Sequence, residues 1–161
     1  MKFMSAVLLV KDMEKSRAFY EKILNQEATI DLGSNVTYGG FSLQTIDSWT
    51  GSTDKNKNSV SLSKANDIEI CFEASDYDGI VEKVKSHNVE LLHDTIEVPW
   101  GQRFIRFYDP DKHVIEVGEP LLNVFQKYMY TNMTMGDIIE KTGLSEEQIT
   151  EIDDYFKLNI V

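Results

Sequence analysis

The sequence has a single cysteine, Cys71, and can therefore close no internal disulfide. Its three histidines, His87, His93 and His113, are scattered, so no Cys/His cluster of structural-zinc spacing is present. Basic residues are also scarce, with 16 Lys and Arg against 27 Asp and Glu and a formal net charge of −11. The shortage is general: 13 basic against 20 acidic residues precede position 120, and 3 against 7 follow. Such a surface repels phosphate backbones and anionic lipid, which excludes nucleic-acid binding. Long hydrophobic runs are missing too. The apolar-dominated stretch at residues 3–10 is far shorter than the roughly 20 residues of a membrane span. It meets Lys11-Asp12 without a small-residue cleavage site, so it is not read as a secretory leader and the expected compartment is the cytoplasm. Hydrophobic residues make up 42% and charged residues 27% of 161, the composition of one globular domain with or without an appendage.

What is present is an internal repetition of elements. Residues 3–10 read as a buried strand, and Asp12 stands where a helix N-cap belongs. Met13, Phe19, Tyr20, Ile23 and Leu24 then share a helical face. Short strands follow at Ala28–Leu32, Val36–Tyr38 and Phe41–Ile46, separated by Gly33-Ser34-Asn35 and Gly39-Gly40. Residues 50–66 are polar and read as a loop linking two units. Ile68–Ala74 repeats the first strand and Asp76 repeats the cap. Tyr77, Ile80, Val81 and Val84 form an apolar stripe, and Glu90–Leu92, Phe104–Tyr108 and Val114–Val117 read as strands. The order is β-α-β-β-β twice. The fold class is therefore α+β, with modules at about 1–49 and 67–119, a linker at 50–66 and a helical extension at 120–161.

In that extension Leu122–Tyr130 and Met135–Lys141 read as helices, and Gly143 as a stop. Ser145-Glu146-Glu147-Gln148 is a capping-box pattern opening a third helix, whose apolar stripe is Ile149, Ile152, Tyr155 and Phe156. The pair around Gly143 has helix-turn-helix spacing. Its second helix carries Glu146, Glu147, Glu151, Asp153 and Asp154, which oppose a phosphate backbone.

The second unit ends Trp100-Gly101-Gln102-Arg103-Phe104-Ile105-Arg106-Phe107-Tyr108-Asp109-Pro110-Asp111-Lys112-His113-Val114-Ile115-Glu116-Val117. Together with the opening Val10-Lys11-Asp12-Met13-Glu14-Lys15-Ser16-Arg17-Ala18-Phe19-Tyr20, this resembles the vicinal-oxygen-chelate superfamily, the group of glyoxalase I, bleomycin-resistance proteins and extradiol dioxygenases. The resemblance covers residues 3–119. It implies that the two modules curve into a cup and that the protein is a homodimer. In metal-dependent members, four cup-facing side chains hold a divalent ion. The corresponding positions here are Ser5, Gln44, Glu69 and Glu116, with no histidine among them. Zinc and nickel favour imidazole, and a hard ion needs more oxygen donors than two carboxylates supply. No metal is expected. Were a divalent ion bound, Glu116, Glu69 and Gln44 would hold it.

Strand parity puts Glu69, Cys71 and Glu73 on one face and Ile68, Ile70 and Phe72 on the other. Arg106 shares its parity with Phe104 and Tyr108. It is either a clamp for an anionic or planar ligand or a neutraliser of Glu69 and Glu116. Tyr38 and Trp100 are candidate aromatics of the cup rim, and Cys71 reads as a small buried hydrophobe. The ligand-contacting set is thus Glu116, Glu69, Gln44, Arg106, Tyr38 and Trp100, with no catalytic residue assigned. The function implied is small-molecule binding in the cup without a metal. The alternative is a metal-assisted lyase or isomerase of the glyoxalase type.

Overall fold

A computed structural model describes residues 1–131 and 133–159. Strand β1 (Ala6–Val10) leads into α1 (Met13–Ala18), whose first turn is capped by the Asp12 carboxylate accepting the Lys15 N–H at 3.1 Å. The helix runs on into a π-helical turn, Phe19–Ile23. The wider turn sends Phe19, Tyr20 and Ile23 all inward, each 7% exposed or less. Strands β2 (Ile30–Asp31), β3 (Asn35–Thr37) and β4 (Phe41–Thr45) complete the first unit.

The chain does not pass directly from β4 into a loop. Thr45 caps a helix, α2 (Ile46–Thr53), by accepting the Ser48 N–H. Residues 50–53 of the segment read as linker are therefore helical. A side-chain cap outweighed a sequence of Thr, Ser and Gly that favours turns. A single 3₁₀ turn at Lys57–Ser59 follows.

The second unit comprises β5 (Glu69–Glu73), α3 (Tyr77–Ser86), β6 (Leu91–Glu97), β7 (Arg103–Tyr108) and β8 (Val114–Gly118). Asp76 caps α3 through the Gly79 N–H at 3.1 Å. A β-carbon at Gly79 would stand 2.2 Å from that carboxylate, so the tight cap depends on glycine.

Each unit forms a four-stranded mixed sheet, ordered β1-β4-β3-β2 and β5-β8-β7-β6, with β1 parallel to β4 and β5 parallel to β8. The two sheets are separate and do not close on one another. They share one core on their helix side, in which Leu8, Val10, Tyr20 and Leu43 meet Val84, Phe107, Ile115 and Val117. The turn between β7 and β8 fastens the units together. Asp111 accepts from Lys11 N at 3.1 Å and Ser16 Oγ at 2.9 Å, and Asp109 accepts from Tyr20 Oη at 2.9 Å. Asp109 also accepts the backbone N–H groups of Asp111 and His113, so its buried charge is fully solvated by the protein.

Three helices follow: α4 (Leu121–Tyr130), α5 (Met135–Thr142) and α6 (Glu146–Asn159). The expected cap appears at α6, where Gln148 N–H donates to Ser145 Oγ and the Gln148 side chain accepts the Ser145 N–H. Gly143 ends α5 at φ +70°. Val124, Phe125, Tyr128, Ile138 and Ile149 form a second core. Tyr155 and Phe156 of the expected stripe lie outside the described side chains. The extension meets the β6–β7 turn, where Tyr128 Oη donates to the Trp100 carbonyl at 3.0 Å. Gly101, at φ +82°, lets the ring approach; a β-carbon there would lie 1.7 Å from Tyr128 Oη. Among the described residues, no helix is long and apolar enough to cross a membrane.

Candidate functional site

On β5 the parity expected from sequence holds: Ile70 and Phe72 pack toward the core while Glu69, Cys71 and Glu73 are exposed on the other face. Register carries that face across the sheet. Cys71 stands opposite Glu116 of β8, Glu116 opposite Arg106 of β7, and Arg106 opposite His93 of β6. Thiol, carboxylate, guanidinium and imidazole thus form one row over four strands.

Arg106 organises the row. Its Nε donates to Glu69 Oε2 at 2.8 Å, and Nη2 reaches both Glu69 Oε1 at 3.4 Å and Glu116 Oε2. Its Nη1 lies 3.2 Å from His93 Nε2. The guanidinium carbon sits 4.5 Å from the centre of the Phe104 ring, a cation–π contact that also supports the stem. A guanidinium has only donors, so His93 Nε2 must accept, which places the imidazole proton on Nδ1. The Asp94 carbonyl, 2.7 Å from Nδ1, accepts that proton. Both ring nitrogens of His93 are thus engaged, Nε2 by Arg106 and Nδ1 by the Asp94 carbonyl.

The electrostatics follow from the same contacts. Burial alone would lower the Arg106 pKa, but Glu69 and Glu116 hold it above its already high ordinary value. The Cys71 thiol is pushed up by burial and further by Glu116 and Glu69, so it stays protonated at neutral pH. Arg106 therefore neutralises the acid pair and is not a free clamp for anions. Its Nε and Nη2 are committed to carboxylates and Nη1 to His93.

The resemblance noted in the sequence raises a divalent ion as the group such a face would hold. Donor atoms of Glu69, Cys71 and Glu116 lie within 4.8 Å of one another, close enough to share an ion. The guanidinium, however, already lies against both carboxylates, in the place a cation would take. Gln44 does not join the cluster: it is on the other sheet, opposite Leu9 and Asn35, with Nε2 donating to Ser48 Oγ at 3.2 Å. Ser5 is on that sheet's side too, hydroxyl to hydroxyl with Ser42 at 3.2 Å. The residues present do not fit an ion while Arg106 holds this position.

Of the six residues expected to contact a ligand, three converge: Glu69, Arg106 and Glu116. Tyr38 is buried in the core, stacked on Phe41 at 5.1 Å with its hydroxyl donating to Glu21, so it cannot line a cup rim. Trp100 is in the β6–β7 turn, where its indole N–H donates to Gln102 and its carbonyl serves Tyr128. Cys71, expected to be buried, is exposed on the acid face. Phe104, placed by strand parity beside Arg106, joins the site as the ring under the guanidinium. His93 joins it without having been singled out, because β6 is irregular in register on both sides of it, which breaks the count by two.

Comparison with known proteins agrees with this architecture. A glyoxalase-like domain model matches residues 3–122. A solved protein of unknown function from Agrobacterium tumefaciens strain C58 is 33% identical, with a TM-score of 0.67 over 74% of this chain and 94% of that one. A lactoylglutathione lyase from Agrobacterium tumefaciens shares the fold at 21% identity and TM-score 0.56, covering 75% of this chain and 95% of its own. A genomically encoded fosfomycin resistance protein from Listeria monocytogenes shares it at 23% identity and TM-score 0.54, covering 74% and 91%. Two β-α-β-β-β units and the family match over residues 3–122, with the relative at 33% identity sharing the fold, lead to one assignment: the chain belongs to the glyoxalase-like domain family.

Proposed function

We propose that the protein binds a small molecule on the open face of β5–β8 and does so without a metal ion. The carrying observation is the Arg106 guanidinium bridging Glu69 and Glu116, which supplies the positive charge that an ion would bring. With two carboxylates and one guanidinium, the site keeps a net charge of about −1. The remaining carboxylate lone pairs and the Asp67 side of the neighbouring groove, bounded by Ile68, Leu92 and Val114, favour a donor-rich ligand, neutral or cationic, with an apolar part. The protein acts as a homodimer in the cytoplasm. Support for the dimer is the exposure of Val7, Ile30 and Leu32 on the first unit and of Ile68, Leu92 and Ile96 on the second, apolar surface that a second copy would cover.

A second reading, a metal-assisted lyase or isomerase, is favoured by the closeness of Glu69, Cys71 and Glu116 and by the fold shared with a lactoylglutathione lyase. It requires Arg106 to leave the carboxylates. A thermal-shift screen of divalent ions and of small amines, sugars and amides separates the two. Stabilisation by an organic compound but by no ion supports the metal-free binder, and the reverse overturns it. Glu116→Gln should then weaken the compound found by about 1.5–3 kcal/mol, the value of a charge-assisted hydrogen bond, without unfolding the chain.

A further inference from the structure

A second groove lies on the opposite, helix side of the molecule, in the seam between the two units. Phe19 and Ile23 of the π-helical turn and Val89 before β6 give it an apolar floor, and Lys15, Lys22 and Lys112 stand around it. Its volume of about 550 Å³ is that of a site for a small organic molecule. The surrounding charge is unusual for this chain. Acids outnumber bases by 27 to 16, yet neither Lys15 nor Lys22 has an ion-pair partner among the described residues. The acids that do border the groove are already committed. Glu90 is bridged by Lys112 and Lys64, which hold its carboxyl down at about 2, and Asp109 is buried against Tyr20 and His113. The groove is thus a positive, half-apolar spot on an acidic protein.

We infer that this seam is a binding site for a small amphipathic anion, its carboxylate or phosphate held by the Lys15 and Lys22 ammonium groups and its apolar body on Phe19, Ile23 and Val89. Two free cations over an apolar floor select for an anionic head joined to a short hydrocarbon or aryl group. The site is independent of the β5–β8 face, from which the shared core separates it. Its charge preference is also opposite, since the acid row with Arg106 disfavours anions.

The test is a titration of the ¹⁵N-labelled full chain with octanoate, octyl phosphate and neutral octanol, read by amide chemical shifts. Saturable shifts are expected at residues 18–23 and 87–90 with one or both anions, and the tighter anion identifies the head group. Octanol should bind at least about fivefold more weakly. Lys15→Gln with Lys22→Gln should lower anion affinity about fivefold or more, as two partly exposed ion pairs would. Lys2→Gln with Lys55→Gln, the same charge change elsewhere, should leave it as it was. Absence of saturable shifts, shifts centred on β5–β8, octanol binding as tightly as the anions, or equal losses in the two double variants would each overturn the assignment.

Discussion

If the guanidinium of Arg106 stands in for an ion, removing it should make the protein respond to ions. Arg106→Met keeps an apolar stem over Phe104 but leaves Glu69 and Glu116 facing each other, their nearest donor atoms within 4.8 Å. Two unit charges at that separation repel by about 0.9 kcal/mol at the permittivity of water and about 3.5 kcal/mol at an effective value of 20. The side chains are 25% (Arg106), 37% (Glu69) and 20% (Glu116) exposed, so solvent screens much of this and a loss of about 1–2 kcal/mol is expected. For a chain of this size that is a fall in Tm of roughly 2–8 °C. The assay is thermal unfolding with and without Zn²⁺ or Mn²⁺. An ion bound at one hundred times its Kd would return about 2.7 kcal/mol, enough to restore the variant. Wild type should show no such rescue, and Glu69→Gln added to Arg106→Met should abolish it. A wild type that responds to ions as strongly as Arg106→Met would refute the idea that the arginine occupies the cation's place. So would a variant that neither loses stability nor gains an ion response.

Three other expectations follow from the packing. Asp111→Ala should cost about 2–4 kcal/mol in denaturant unfolding, because it orphans the Lys11 N–H and the Ser16 hydroxyl at a position 3% exposed; Asp111→Asn, which keeps one acceptor oxygen, should cost less. Gly101→Ala should cost about 2–3 kcal/mol, from a side chain forced to φ +82° and from a Tyr128 hydroxyl pushed off the Trp100 carbonyl, and should speed proteolysis of the helical extension. Burial raises the carboxyl pKa of Glu119, but the hydrogen bonds and charge of Arg103 prevail and hold it below the ordinary 4.5. A depressed acid gives its stability in full above its ordinary value and loses it as pH falls through the depressed one. The Tm of wild type should therefore fall more steeply below about pH 4.5 than that of Glu119→Gln.

Much of this architecture was legible in the residues. Asp12 and Asp76 mark the two helix starts, and the cap–helix–strand order repeats after them, so the modules could be counted without coordinates. Ser145 with Gln148, and Gly143, announced the breaks in the helical extension. Half of the site was legible for the same reason: Glu69, Arg106 and Glu116 lie on regular strands where parity is preserved. What escaped were the places where backbone geometry departs from a fixed period. The irregular register of β6 hid His93, and the Thr45 cap turned a polar stretch into α2. Tyr38 escaped for a different reason. Its hydroxyl, donating to Glu21, lets a polar-tipped aromatic sit in the core, and nothing in its neighbours in sequence reports that partner.

The fastening turn between β7 and β8 has a consequence for how the chain comes off the ribosome. The Tyr20 hydroxyl waits for an acceptor that lies 89 residues downstream, and Ser16 for one 95 residues downstream. At roughly 5–20 residues per second, the first unit spends on the order of 5–20 s with these polar groups and the apolar faces of Phe19 and Tyr20 unmatched. Early strand pairing within β1–β4 can form during that interval, but it lacks the partner half of its core. The N-terminal unit therefore gains its partner half of the core and the acceptors for Tyr20 and Ser16 only once the Asp109-Pro110-Asp111 turn has been made.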